Sequence, residues 1–243
     1  MADQVPLNQA PDDNRQVVRR SEPLSLTPAQ LAERAIIPYV DGANRQLVDS
    51  FRELRTRLLA TSNDNFITLI APVTEGCGGG FVARNLALAM TFDQARSSLL
   101  IDCNLRQPSQ HAAMKIDTPR GGLLDYLENP DATVESMMYS TGIPRLSLIP
   151  AGRSGLGGME IEHFSSFRMR LLLDSLRSSH ADRYIFLDGP PTLGAPDARM
   201  LSELADVVVL VAGYGRNTVA DITAAAGNFD PQKFAGVVFN ENG

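Results

Sequence analysis

The spacing of hydrophobic positions changes several times along the chain. Over residues 44–60, Leu47, Phe51, Leu54 and Leu58 recur at helical intervals with arginines on the other face, which predicts an amphipathic helix. From residue 66 the pattern becomes short continuous apolar runs, at 66–71, 98–102, 145–150, 184–188, 207–211 and 236–239. Helical stretches are predicted between them at about 81–93 and 165–178. Continuous apolar strands alternating with helices predict an α/β fold, a doubly wound, mostly parallel sheet flanked by helices. Before residue 39 the chain is polar and proline-bearing, so residues 1–38 read as a flexible arm and residues 39–243 as a single domain. Within the arm, residues 27–35 carry a variant of the capping box and predict a short helix.

Composition narrows the function classes. The 243 residues are 44% hydrophobic and 21% charged, the balance of one sizeable globular domain. With 28 acidic against 22 basic residues the net charge is −6, which argues against a broad nucleic-acid-binding face. Cys77 and Cys103 rule out a disulfide framework, and His111, His163 and His180 make no zinc-ligand spacing with them. The first residues lack the apolar core of a secretory signal, and no run approaches the roughly 20 apolar residues of a spanning helix. The expectation is a soluble cytoplasmic protein, any membrane association being borrowed from a partner. Only Lys115 and Lys233 are lysines, so chemistry that needs a flexible ammonium has two candidates.

The candidate chemistry sits at the ends of the apolar runs. After the first run come Gly76, Gly78, Gly79 and Gly80, then a helix, which is where a phosphate-binding loop lies in a P-loop NTPase-like fold. Such a loop reads G-x-x-x-x-G-K-[ST], its lysine reaching the β- and γ-phosphates and its hydroxyl holding magnesium. Here the lysine position falls on Gly79 and the hydroxyl position on Gly80. Two further runs end in Asp102 and Asp188, at the sheet edge where acids orient water and magnesium in nucleotide sites. Either acid alone reads as readily as a turn cap. Cys77, at the helix start, reads as a small residue fitting the turn, with a redox-sensitive thiol as the alternative.

Taken in order, these segments resemble the cytoplasmic domain of bacterial tyrosine kinases (BY-kinases), which govern capsule and exopolysaccharide chain length and belong to the deviant Walker-A P-loop ATPases. Asp49, Arg52 and Arg55 resemble the family's E-x-x-R-x-x-R helix, with Asp in place of Glu. Asp102, Asn104, Arg106 and Pro108 resemble its Walker A′ motif D-x-D-x-R-x-P. Gly122, Leu123, Asp125 and Leu127 are similar to G-L-x-D-x-L, Pro150, Ala151 and Gly152 to L-P-A-G, and Asp188, Pro190 and Pro191 to the Walker B I-D-x-P-P. Asp197 and Ala198 follow where the family has D-A, and Gly236 to Asn240 resemble a terminal G-V-V-L-N whose asparagine lies near the adenine. The resemblance covers about residues 44–240.

The departures carry equal weight. Gly79 and Gly80 replace the Walker A lysine and the magnesium-binding hydroxyl, Phe81 replaces the following threonine, and Asn104 replaces the second Walker A′ aspartate. No tyrosine follows Tyr214, where the family carries a tyrosine cluster. Phosphoryl transfer is largely positioning and electrostatic stabilisation, and removing one stabilising group costs on the order of 10²–10³ in rate. The resemblance with these losses implies a catalytically degenerate kinase-like protein, a regulatory or assembly partner in exopolysaccharide biosynthesis and export. No residue is assigned a catalytic role; Asp102 and Asp188 are relic acids, holding magnesium only if it binds. The vestigial nucleotide site comprises Gly76, Gly78, Gly79, Gly80, Phe81, Asn104 and Asn240, with Phe81 expected to crowd the α-phosphate side. No cofactor is required, ATP and magnesium entering only if the degenerate site still binds them. Arg84 is expected to run along its helix, away from the loop. Asp49, Arg52 and Arg55 form either an oligomer interface, favoured by the resemblance, or a solvated face of intrahelical pairs. The implied partners are an inner-membrane polysaccharide co-polymerase, copies of the chain, or an active kinase. The alternatives are an active tyrosine kinase or ATPase with a rearranged loop, and a partition-type ATPase relative.

Overall fold

The apolar runs become strands because they are short and rich in branched residues, and the central ones are covered on both faces. The computed structural model describes residues 26–39, 44–62, 64–153, 160–194 and 196–241. Seven strands, β1 (Ile67–Pro72), β2 (Ser97–Asp102), β3 (Tyr139–Ser140), β4 (Leu146–Ile149), β5 (Arg183–Asp188), β6 (Val207–Gly213) and β7 (Phe234–Asn240), form one sheet. Their order is β3-β4-β2-β5-β1-β6-β7. Every pairing is parallel except β3 with β4, so the fold class read from the alternation of runs and helices holds.

The helices are α1 (Pro28–Ala32), α2 (Arg45–Leu59), α3 (Gly79–Met90), α4 (Gln110–Ala113), α5 (Leu123–Glu128), α6 (Val134–Met137), α7 (Phe167–Ser178), α8 (Asp197–Leu204) and α9 (Val219–Ala226). Alternate strand residues feed two cores. Leu69, Leu99 and Leu187 pack under α5, α7 and α8, while Ile70, Leu100 and Phe186 pack under α2 and α3. That alternation is the period-2 geometry of a strand covered on both sides.

Two boundaries differ from those read along the chain. Helix α3 starts at Gly79 rather than at residue 81, because Gly78 takes the left-handed conformation (φ 80°) and serves as its N-cap. The packed body also begins before residue 39. Thr27 and Gln30 close the expected capping box on α1, and Ile36 and Ile37 are buried in the α3-side core. The Ile37 N–H donates to Asn85 Oδ1 at 2.8 Å, and Asn85 Nδ2 donates to the Ala35 carbonyl at 3.1 Å. Averaging polarity over the first 38 residues concealed this pair of isoleucines; residues 1–25 of the expected arm lie outside the described residues. Among the described residues no helix is long and apolar enough to cross a membrane.

Candidate functional site

Strand register builds the site. Asp102 and Asp188 are Cα partners at the carboxyl ends of β2 and β5, and Asp188 is also the partner of Ile70, just before the glycine loop. The order β2-β5-β1 thus sets the two acids and the loop side by side, at the edge where parallel sheets collect functional groups. Both carboxylates are buried. Asp102 Oδ2 accepts the backbone N–H groups of Ser109 and Gln110, each at 2.9 Å, so this acid holds the entry to α4. Burial nevertheless raises its pKa against those bonds. At Asp188 burial, and then the neighbouring charge of Asp102, push the carboxyl up to about 7, while Gln110 and Arg84 pull the other way.

Gln110 is the residue that sequence reasoning missed, and Arg84 one whose partners it did not foresee. The Gln110 side chain is fully buried between the acids and the loop. Its Nε2 donates to Asp188 Oδ2 and, at 3.2 Å, to the Gly80 carbonyl, and its Oε1 accepts from Arg84 Nη1 at 2.7 Å. Arg84 does stay clear of the loop, but it does not run out along the helix: it turns inward, is 5% exposed and is held electrostatically by Asp188 and Asp102. The signal was present in the sequence as a single arginine within an otherwise apolar turn of α3, since a buried guanidinium requires an acidic or carbonyl partner.

The loop is shaped by its glycines and walled by its neighbours. Gly76 (φ 77°) and Gly78 (φ 80°) occupy the left-handed region. A Cβ at Gly79 would lie 2.9 Å from the Pro72 ring, and a Cβ at Gly80 would lie 2.8 Å from Gln110 Nε2 and 3.3 Å from Asp188 Oδ2. The remaining cavity holds about 170 Å³ and is lined among others by Asn104, Gln107 and Pro191. Asn104 Oδ1 accepts the Gln107 N–H at 3.3 Å, so its side chain serves the turn. Asn240, at the end of β7, donates from Nδ2 to the Cys77 carbonyl at 3.0 Å and ties the last strand to the loop. Phe81 departs from expectation: its ring meets Phe51 of α2 edge-on at 6.1 Å and lines the groove beside α2 rather than the loop cavity. Position 81 lies one residue further round α3 than Gly80, which turns it toward the α2 side. Cys77 is buried, its Sγ donating to Asn217 Oδ1 at 3.0 Å, as a residue fitting the turn does.

The lysines lie elsewhere. Lys115 pairs with Glu33 at 2.6 Å, and Lys233 donates to the Ser202 and Glu203 carbonyls at the end of α8. A cation that does flank the loop is Arg216, exposed after β6: its Nη1 is 3.1 Å from the Cβ position of Gly76, and its stem lies over Gly213.

Other segments of the resemblance do structural work. Arg106 Nε donates to Asp197 Oδ2 at 2.8 Å, joining the turn after β2 to the start of α8. Asp125 Oδ2 accepts the N–H groups of Gly122 (2.8 Å) and Arg153 (3.1 Å), joining α5 to the turn after β4. On α2, Arg52 pairs with Asp49 at 3.0 Å within the helix, and both are about half exposed, while Arg55 directs a buried Nε inward.

A magnesium-bound triphosphate does not fit these residues as they stand. The Gln110 amide fills the space beside Gly80 and donates to Asp188 Oδ2, and the Pro72 ring stands against Gly79, where the loop pattern calls for a lysine.

No protein-family model matches the chain. It is 28% identical over 199 residues to the tyrosine-protein kinase ptk of Acinetobacter johnsonii, covering 80% of this chain and 26% of that protein. The tyrosine-protein kinase CpsD of Streptococcus agalactiae is 25% identical over 210 residues, covering 84% of this chain and 89% of CpsD. Among solved structures, the VpsO kinase domain superposes with a TM-score of 0.68 at 27% identity, covering 84% of this chain and 98% of that domain. The chain spans about a quarter of the length of the first curated relatives it matches.

Proposed function

The chain belongs to the family of bacterial tyrosine-kinase domains, and we propose that it is a catalytically degenerate member serving as a regulatory or assembly partner in exopolysaccharide or capsule biosynthesis and export. The observation that carries this reading is the loss of room, not only of side chains, at the two loop positions on which phosphoryl transfer depends. Gly79 backs onto the Pro72 ring and Gly80 onto Gln110, so neither a lysine nor a hydroxyl-bearing residue is accommodated without rearrangement. Phosphoryl transfer draws its rate from preorganised cations and metal, and Gly79 and Gly80 bring neither an ammonium nor a hydroxyl to those positions. Its partner is then an inner-membrane polysaccharide co-polymerase, which would bring the domain to the membrane surface, or further kinase-like subunits met through Asp49, Arg52 and Arg55 of α2.

The test is ATP·Mg²⁺ titration calorimetry and phosphotyrosine detection on the purified protein. Weak or absent ATP binding and no phosphotyrosine are expected. The Gly79→Lys/Gly80→Ser variant is also expected to remain inactive, because the new Cβ at position 79 meets the rigid Pro72 ring at 2.9 Å and the one at position 80 displaces the tip of Gln110. Phosphotyrosine on the unmodified protein would overturn the reading. One observation favours a second reading, an active kinase with a rearranged loop: the Arg216 guanidinium beside Gly76 could then act as the phosphate cation. In that case activity is present and Arg216→Ala abolishes it.

A further inference from the structure

We propose that Gln110, held by Arg84, is a built-in occupant of the divalent-cation position, so that the acid pair Asp102 and Asp188 is neutralised from within the protein and does not take up magnesium. This deepens the degenerate-kinase reading and rests on it for the identity of the position, but it is carried by the geometry of a single side chain.

Two carboxylates at in-register strand ends, both buried, need a proton, hydrogen-bond donors or a positive partner. In a metal site that partner is the ion. Here a buried cation of α3, Arg84, acts on both acids through space and is joined to Asp188 through the Gln110 amide. The Gln110 amide completes the connection. Its oxygen accepts from a guanidinium, which can only donate, so the orientation of the amide is fixed; its nitrogen therefore spends its hydrogens on Asp188 Oδ2 and the Gly80 carbonyl. Every strong hydrogen-bonding site of the amide except one oxygen lone pair is thereby used in a fully buried place. Asp102 is committed in the same way, since its Oδ2 carries the N–H groups of Ser109 and of Gln110 itself. A cation approaching Asp188 through Oδ2 would displace the hydrogen bond that this oxygen accepts from the Gln110 amide and would add positive charge near Arg84. Gly80 is part of the same device: any side chain there would place its Cβ 2.8 Å from Gln110 Nε2, so the plug and the missing hydroxyl require each other.

The experiment measures Mn²⁺ binding by electron paramagnetic resonance without nucleotide, comparing the full chain with Asp188→Asn and Gln110→Ala. The wild type is expected to bind no more Mn²⁺ than Asp188→Asn does, and Gln110→Ala to gain about tenfold or more in affinity. One Mn²⁺ bound by the wild type and lost in Asp188→Asn would overturn the inference, as would a folded Gln110→Ala with no gain. Should that variant fail to fold, the side-chain amide resonances of Gln110 in the wild type decide. They are expected to stay unmoved by millimolar Mg²⁺, and a saturable shift would overturn the proposal. Metal bound at the acids with no phosphotyrosine formed would overturn this inference alone and leave the degenerate-kinase reading in place.

Discussion

Asp188 is the residue at which the chemistry of the site converges, and its environment makes a pH prediction. Burial and the Asp102 charge raise its carboxyl to about 7 in the folded chain, against an ordinary value of 3.8. A raised carboxyl binds its proton more tightly in the native state than in the unfolded one, so its contribution to stability is full below the ordinary carboxylate range and is lost as pH rises through about 7. Melting temperature followed from pH 5 to pH 8 is therefore expected to fall, and Asp188→Asn to flatten that profile (other groups shift the whole curve and leave this difference). An unchanged slope in the variant would show that Asp188 is ionised throughout. At the same scale the legibility of the sequence was uneven. Asp102, Asp188 and the loop glycines were legible because each closes an apolar run at the sheet edge. Gln110 was not, because a glutamine after a proline turn has no periodicity or spacing to mark it, and its role arises only where α4 folds back over the loop.

At the level of elements, α2 is the candidate for assembly. Its intrahelical Asp49–Arg52 pair, about half exposed, contributes only about 0.3–0.5 kcal/mol to the isolated fold. Removing these charges should therefore change association far more than stability. Arg52→Ala/Arg55→Ala is expected to lower the mass found by light scattering while shifting unfolding free energy by no more than about 1 kcal/mol. Unchanged mass would remove the interface from the account. The helix itself was legible from its apolar spacing, as were β1, β2 and β4 to β7 from their continuous runs. The short elements α4, α5, α6 and β3 were not, because two to six residues carry too little period to distinguish them from turns. Asp125 shows what fixes one of them: α5 is held by a carboxylate that reaches across to the turn after β4.

Across the whole molecule, the central strands β1, β5 and β6 are buried throughout, and the segment before α2 contributes to the core on the α3 side. Ile36 is 1% exposed in the core above α3, so Ile36→Ala is expected to cost about 2–5 kcal/mol in urea denaturation. A cost below about 1 kcal/mol would return that segment to the status of a loose arm. By itself the sequence determined the fold class and the edge of the sheet at which its acids and glycine loop gather. Those follow from local hydrophobic period and from residue types at fixed spacing, which a linear chain displays. The tertiary structure alone decided what surrounds the glycine loop: Pro72 against Gly79, Gln110 against Gly80, and Arg84 on the Gln110 amide. Arg84 and Gln110 are 26 residues apart and Gln110 and Asp188 are 78 apart, and a buried charge finds its partner by proximity in space, which no local pattern encodes.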